Sequence, residues 1–281
     1  MSARIISTVQ GVRDALAPVR RAGTVIGLVP TMGALHAGHG RLIETARAEC
    51  GCVVASVFVN PIQFNNTDDY QRYPRTLESD VRFAGERGAD IVFAPETGEM
   101  YPRELRTHVD VDVLTDQLCG KFRPGHFRGV TTVVAKLFNI VQPDRAYFGE
   151  KDAQQLAVIR RMVEDLNMPL TVVGVPIVRE ASGLALSSRN RHLSAEERCM
   201  ATALHESLEA AAGAVRRGVR DAGEVRRAAL AILESRPQIR VEYFEIVDRD
   251  ELQPVAEIGG PVLIATAAWL GSTRLIDNVS V

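Results

Sequence analysis

Short apolar runs alternate with amphipathic stretches of helical length through the first two-thirds of this chain, and few folds accept that order. Residues 24–29 (TVIGLV) read as a buried strand, and residues 53–59 (VVASVFV) as a second, rich in β-branched side chains and closed by Asn60-Pro61. Further strands are expected at 91–93, 145–148 and 170–175. Between them, 38–49, 76–87, 130–141 and 152–166 read as helices. Strands that alternate with helices predict right-handed βαβ units and an α/β fold, with a parallel sheet covered by helices on both faces.

The alternation breaks near Pro176, at the polar stretch REASGLALSSRNRHLS. Ser194 then precedes Ala195-Glu196-Glu197, an N-cap with Glu in the capping-box position. An Ala- and Arg-rich helical region runs to about Glu234, interrupted between Gly218 and Gly223. Strands are expected at 240–247, 262–269 and 273–279. Helices followed by strands predict a smaller C-terminal α+β domain, 177–281, after a first domain of 1–176.

Charge and composition narrow the partners. Basic residues number 33 and acidic residues 35, for a formal net charge of -2, and aromatics make up 5%. A nucleic-acid binder would show a basic excess or a base-stacking surface, so no nucleic-acid partner is expected. The chain opens without the long apolar run of a signal peptide, and the runs at 53–59 and 262–270 are too short to span a membrane. Cys50, Cys52, Cys119 and Cys199 lack zinc-site spacing and read as reduced, partly buried thiols. A cytoplasmic protein with no membrane partner is the expectation.

The densest chemistry lies in VPTMGALHAGHGRLI, residues 29–43, directly after the first strand. Gly33 and Gly38 permit sharp turns and close approach of backbone to a ligand. The helix that follows aims its first amides and its positive dipole end at the same place, which suits phosphate. His36 and His39 beside it can donate hydrogen bonds to charge developing on phosphate oxygens. A shared metal is the other reading of two histidines three apart, but no third and fourth ligand stands at suitable spacing. Neither G-K-[ST] nor G-x-G-x-x-G is present, so neither a P-loop nor a dinucleotide fingerprint is read here.

Three further segments sit where such a sheet binds ligands. In VFVNPIQF, Asn60 and Gln63 offer amides suited to hydroxyl and carboxylate groups at a strand's carboxyl end. In YFGEKDAQQL, Gly149, Glu150, Lys151 and Asp152 mark another strand-to-helix junction. There Lys151 can neutralise phosphate, Asp152 can cap a helix or face magnesium, and Gln155 falls on the first turn. In GLALSSRNRHL, Ser187, Ser188 and Arg189 group two hydroxyls and a guanidinium, suited to polyphosphate. RPGHFRG adds Arg123, His126 and Arg128 in a Gly-rich loop that would bring charge to the same cleft. Each segment alone also reads as an ordinary turn or solvated loop.

Taken in order, PTMGALHAGH, FVNPIQF, YPR, RPGHF, FGEKDAQQL and LSSRN resemble the pantothenate synthetase family, within the wider H-x-G-H nucleotidylyltransferases. The likeness is dense from 23 to 193 and continues to GSTRLIDN, residues 271–278. It implies a Rossmann-like first domain that binds ATP and pantoate, a C-terminal lid, a homodimer, and use of Mg2+. It implies that ATP drives pantoate and β-alanine to pantothenate through a pantoyl-adenylate. A nucleotidylyltransferase with another small acceptor is the alternative enzyme, and an inert nucleotide-binding regulator the alternative of a different class.

By the same resemblance Met32, Gly33, Ala34, Leu35, His36, Ala37, Gly38 and His39 line the ATP site, with His39 in the position of a proton donor. Gly149, Glu150, Lys151 and Asp152 bind ATP, and Asp152 faces the metal. Val178 meets the adenine, and Leu186, Ser187, Ser188 and Arg189 close over the triphosphate. Gln63 and Gln155 hold pantoate, with Asn60 and Arg123 nearby. Two positions depart from the family pattern: Gly40 and Ala153 stand where a larger apolar residue and an aromatic are usual. Gly40 is expected to loosen its helix, since Gly costs ~1 kcal/mol against Ala there.

Overall fold

The computed structural model describes residues 3–281. Along the chain run β1 (Arg4–Ile6), α1 (Val9–Arg21), β2 (Ile26–Thr31), α2 (Ala37–Glu49), β3 (Cys52–Val57), α3 (Thr67–Arg72) and α4 (Leu77–Glu86). There follow β4 (Ile91–Phe93), α5 (Thr97–Met100), α6 (Leu118–Phe122), α7 (His126–Val141), β5 (Arg145–Gly149), α8 (Ala153–Asp165) and β6 (Thr171–Val175). The rest is α9 (Ala195–Arg216), α10 (Ala222–Glu234), β7 (Ile239–Asp248), β8 (Val262–Leu270) and β9 (Thr273–Ser280). Two compact units result. The first holds the described residues through Val111 together with Arg123–Glu150 and Gln155–Pro176; the second holds Asp112–Phe122, Lys151–Gln154 and Ile177–Val281.

The first unit is built on a six-stranded parallel sheet in the order β1-β4-β3-β2-β5-β6. Val29, Val53, Ala55 and Val92 alternate onto one face, where they pack with Leu42, Ile43 and Ala46 of α2 and Val81 and Ala84 of α4. Leu28 and Val54, equally buried, alternate to the other face. Each such side chain removed from water contributes about 1.5–3 kcal/mol. The strand order reverses between β2 and β5. From β2 the chain winds outward through β3 and β4, and from β5 it winds the other way to β6. The pairing of β2 with β5 stops at Leu28 and Ala146, while β2 continues beside β3 to Thr31. The two strands therefore part at their carboxyl ends, and a crevice of this kind is where open α/β sheets bind ligands.

Several boundaries differ from the sequence reading. The first strand, expected at 24–29, runs on through Pro30 to Thr31, and Pro30 falls beyond the last β2–β5 pair. Helix α7 starts at His126 rather than 130, because Gly125 turns into it with φ +76°. Strand β1 and helix α1 were not read from the sequence; Thr8 caps α1 by accepting from Gly11 N at 3.1 Å.

In the second unit, β7, β8 and β9 form an antiparallel sheet against which α9 and α10 pack, with Leu204, Leu208, Phe244 and Ile264 in the core. Ser194 and Glu197 form the expected capping box at the start of α9. Residues 112–122 join this unit through specific contacts. Gln154 donates to the carbonyls of Leu114 and Gln117 at 2.9 and 2.7 Å, and Cys119 Sγ lies 3.3 Å from Tyr243 Oη.

The cysteines are free thiols, with Cys50, Cys52 and Cys119 buried and Cys199 exposed. Burial pushes the Cys50 thiol up, and pushes Cys52 up to about 11, so neither carries thiolate at neutral pH. Titration with a chromogenic disulfide at pH 8 should therefore show one fast thiol, lost in Cys199→Ser, and the remainder only after denaturation. Fast reaction of a second thiol in the folded protein would contradict this packing.

Candidate functional site

The loop from β2 to α2 is held in an unusual shape. Gly33 and Ala34 take φ values of +85° and +51°, two left-handed residues in a row. Gly33 adopts this freely; Ala34 does so at a cost of ~1 kcal/mol or more and must be held. The holder is Asp80, which is 2% exposed. Its carboxylate accepts from Ala34 N at 3.0 Å, from Leu35 N at 2.8 Å and from Thr76 Oγ1 at 3.1 Å. Thr31 Oγ1 adds a contact from Gly33 N at 3.1 Å while donating to Ser56 O. Sequence reasoning missed Asp80. Its signal was a carboxylate beside Val81 and four before Ala84 on the buried face of α4.

His36 is the N-cap of α2. Its Nδ1 accepts from Gly38 N at 3.1 Å, and His39 Nδ1 accepts from His36 N at 3.3 Å, a reciprocal cap made by two imidazoles. A nitrogen that accepts carries no proton, so in this arrangement each neutral ring is protonated on Nε2. The rings lie 4.1 Å apart, tilted by 43°. Gly38 lies in the first turn of α2, where the sequence reading began this helix, and leaves room for the His36 ring: a Cβ there would come within 2.9 Å of His36 Cε1. Gly40 is also explained. The Arg87 side chain covers it, a Cβ would meet Arg87 Nε at 2.5 Å, and the Arg87 guanidinium lies 3.4 Å from the centroid of the Phe83 ring. The space of a larger apolar residue is filled from α4.

The NPIQF segment follows β3. Asn60 and Gln63 are buried, and Asn60 Nδ2 donates to Gln63 Oε1 at 3.0 Å. Gln63 Nε2 lies 3.0 Å from Met32 Sδ, which joins this segment to the β2–α2 loop. From the start of α7, His126 Nδ1 donates to the Gln63 carbonyl at 2.8 Å, and its Nε2 accepts from Arg123 at 3.0 Å. His126 is thus neutral and buried, and Arg128 is exposed 4.0 Å from Asp110. The expectation that His126 and Arg128 bring charge to a cleft does not hold; Arg123 is the cation beside Gln63. Gly149 closes β5, Glu150 opens the short turn that follows it, and Gln155 lies half-buried on the first turn of α8.

The remaining candidates belong to the second unit. Lys151 Nζ is 3.9 Å from Asp152 Oδ1, and Asn278 Nδ2 donates to the Lys151 carbonyl at 2.9 Å. Val178 and Leu186 pair across a hairpin, Leu186 N donating to Val178 O at 2.9 Å. Arg179 ties this hairpin to β9 by two bonds to the buried Asp277 carboxylate, at 2.6 and 3.0 Å. Ser187 caps the short turn Ser188–His192 by accepting from Arg189 N at 3.3 Å. GSTRLIDN thus supplies Asp277 and Asn278 as anchors for the hairpin and for Lys151, a role sequence reasoning did not assign. Among the described residues no group of three or more His, Cys, Asp and Glu could hold a metal ion.

A family model for pantoate-beta-alanine ligase matches residues 4–280. The pantothenate synthetase of Moorella thermoacetica is 53% identical over 275 residues, covering 98% of this chain and 97% of that protein. The crystal structure of pantothenate synthetase from Thermus thermophilus matches with a TM-score of 0.93 at 49% identity, over 98% of each chain. Pantoate-beta-alanine ligase from Francisella tularensis, complexed with beta-gamma ATP and β-alanine, gives a TM-score of 0.79 at 31% identity, over 99% of this chain and 97% of that one.

The Asp80 geometry has a direct test. Asp80→Ala leaves the Ala34 and Leu35 amides without their acceptor, at about 1–3 kcal/mol for an unpaired buried group. Hydrogen exchange at those two amides should quicken by about tenfold or more, with amides in the β3 core much less affected. Unchanged exchange at Ala34 and Leu35 would show that the loop keeps its shape without the carboxylate.

Proposed function

Because the chain belongs to the pantoate-beta-alanine ligase family across residues 4–280, we propose that it condenses (R)-pantoate with β-alanine at the expense of ATP, releasing pantothenate, AMP and pyrophosphate. A carboxylate does not react readily with an amine until it carries a good leaving group. Pantoate's carboxylate attacks the α-phosphorus of ATP, pyrophosphate departs, and the pantoyl-adenylate stays bound. The β-alanine amine then attacks the acyl carbon, the C–N bond forms, AMP leaves and the amine loses its proton. No covalent protein nucleophile is needed; orientation and charge stabilisation do the work.

The observation that carries this reading within the site is the reciprocal cap of His36 and His39 at the sheet's switch point. Both rings place an Nε2–H donor beside a helix N-terminus, where the polyphosphate would lie. Both act as hydrogen-bond donors to phosphate oxygens, and His39 keeps the position of the proton donor. Met32 through Leu35 and Ala37 with Gly38 frame the nucleotide, as do Gly149 and Glu150. Lys151 supplies a point cation, and Val178 meets the base. Leu186 with Ser187, Ser188 and Arg189 takes the part of a lid on the triphosphate. Gln63 and Gln155 hold pantoate, with Asn60 and Arg123 supporting.

Magnesium fits this donor set in one way only. An exposed carboxylate such as Asp152, with its side chain 49% exposed, suits an ion that keeps waters and arrives on the polyphosphate, not a protein cage. Bound there, the ion would neutralise phosphate charge. The domain division at 176, the homodimer and the cytoplasmic setting belong to the same proposal, by likeness to the family. No helix among the described residues is long and apolar enough to cross a membrane.

With ATP, magnesium and pantoate but no β-alanine, the enzyme should exchange labelled pyrophosphate into ATP. His39→Ala and His36→Ala should each slow exchange by ~10²–10³, the usual loss for one such donor. His36→Asn retains a capping acceptor without the imidazole and should stay slow while keeping the stability that Ala loses. Exchange that proceeds without pantoate would overturn the acceptor assignment, and rapid exchange in His36→Asn would reduce the ring to a cap.

A further inference from the structure

The two ends of a side-chain amide have the same shape, so what Gln63 offers a ligand must be worked out from its neighbours. The chain of reasoning starts at a group of fixed polarity. The Gly129 carbonyl can only accept, and it faces the Asn60 amide at 3.1 Å. That end of Asn60, which is 1% exposed, is therefore its NH2. The same NH2 meets Gln63 at 3.0 Å, so Gln63 turns its oxygen, Oε1, toward Asn60. The other end of Asn60 is Oδ1, which accepts from Tyr101 Oη at 2.7 Å. What remains of Gln63 is Nε2, whose neighbour within the protein is the weakly accepting Met32 sulfur at 3.0 Å.

Two features keep this chain in register. A Cβ on residue 129 would come within 2.4 Å of the Ile62 carbonyl and 2.7 Å of Gln63 Cα, so only glycine lets α7 bring its carbonyl to Asn60. Burial pushes the Tyr101 phenol well up, and it keeps the proton it donates. The Tyr101 ring is separately seated, 6.1 Å from the Phe58 ring and with Lys136 Nζ 5.5 Å from its centroid. The hydroxyl can thus be removed without removing the ring.

We infer that Tyr101 is a positioning residue: by occupying Asn60 Oδ1 it steadies the polarity that the Gly129 carbonyl sets, so that Gln63 acts as a hydrogen-bond donor and the atom of the hydroxy acid that it grips is an acceptor oxygen. Asn60 acts within the protein, its two amide hydrogens spent on Gly129 and Gln63. The inference rests on the reading that Gln63 binds pantoate. Recognition then favours a substrate with lone pairs facing Gln63, such as a carboxylate or a hydroxyl that accepts, and disfavours an ammonium or amide N–H there.

Pyrophosphate exchange measured against pantoate and against ATP tests it. Tyr101→Phe should raise the KM for pantoate by about tenfold, the scale of one hydrogen bond, with kcat and the KM for ATP within about twofold of the parent, a split that general loosening of the fold would not give. Gln63→Glu, the same shape but with oxygen in place of Nε2, should raise the pantoate KM at least tenfold more than Gln63→Ala. If Gln63→Ala impairs pantoate use while Tyr101→Phe leaves it unchanged, or if Gln63→Glu is no worse than Gln63→Ala, the polarity lock is overturned and the Gln63 assignment survives. If Gln63→Ala leaves the pantoate KM unchanged, the assignment falls and the inference with it.

Discussion

A parallel sheet whose chain reverses its winding cannot close over its own carboxyl edge at the reversal, and in the first unit that constraint fixes where chemistry can occur. β2 and β5 stop pairing at Leu28 and Ala146, and the segments at their carboxyl ends carry PTMGALHAGH and FGE. Neither segment needs a special fold to be close to the crevice; the strand order puts both there. The apolar packing of α2 and α4 on the sheet, through Ile43, Ala46, Val81 and Ala84, then keeps the first of these loops from drifting.

Irregular backbone at such an edge has to be held by something stronger than local preference, and here buried carboxylates do it. Asp80 fixes the left-handed pair Gly33 and Ala34 from the neighbouring helix. Asp277, only 3% exposed, fixes the 178–186 hairpin through Arg179. The two differ in energetics. Removing Arg179 strands the buried Asp277 carboxylate, at about 3–5 kcal/mol. Asp80 has no cation among these three partners and is held by donors alone, so its worth lies in loop shape more than in net stability.

How much of this was legible depends on whether the partner of each residue is local. The strands at 53–59, 91–93 and 145–148 were readable because an apolar run carries its own signal, and the Ser194 capping box because its two residues lie three apart. The loop of 29–43 stood out because Gly and His crowd a strand-to-helix junction. The three-residue β1 was too short to read, whereas α1 was passed over although Val12 and Leu16, four apart, mark its buried face. Gly40 read as a weakness because Arg87, which fills its space, is remote in sequence. Asp80, Tyr101 and Asp277 were missed for the same reason: each gains its meaning from a backbone or amide group that only folding brings near.

A single electrostatic pattern connects these parts. Both substrates of the adenylation are anions, and a site that joins two anions must show them donors. Protein side chains that carry donors usually carry acceptors too, so the acceptors have to be occupied elsewhere. In the first unit they are. The Nδ1 lone pairs of His36 and His39 are spent on the backbone of α2. The oxygen of Gln63 is spent on Asn60, and that of Asn60 on Tyr101. The loop's one carboxylate holder, Asp80, is consumed by three donors of its own. The polarity this gives is Nε2–H on each histidine and NH2 on Gln63. Donors fixed in this way need not reorient when charge builds on phosphate, which is the condition under which hydrogen bonds lower a barrier rather than merely bind a ground state. Capping, loop strain and amide polarity, which look like matters of folding, are therefore the same arrangement that prepares the site to receive negative charge.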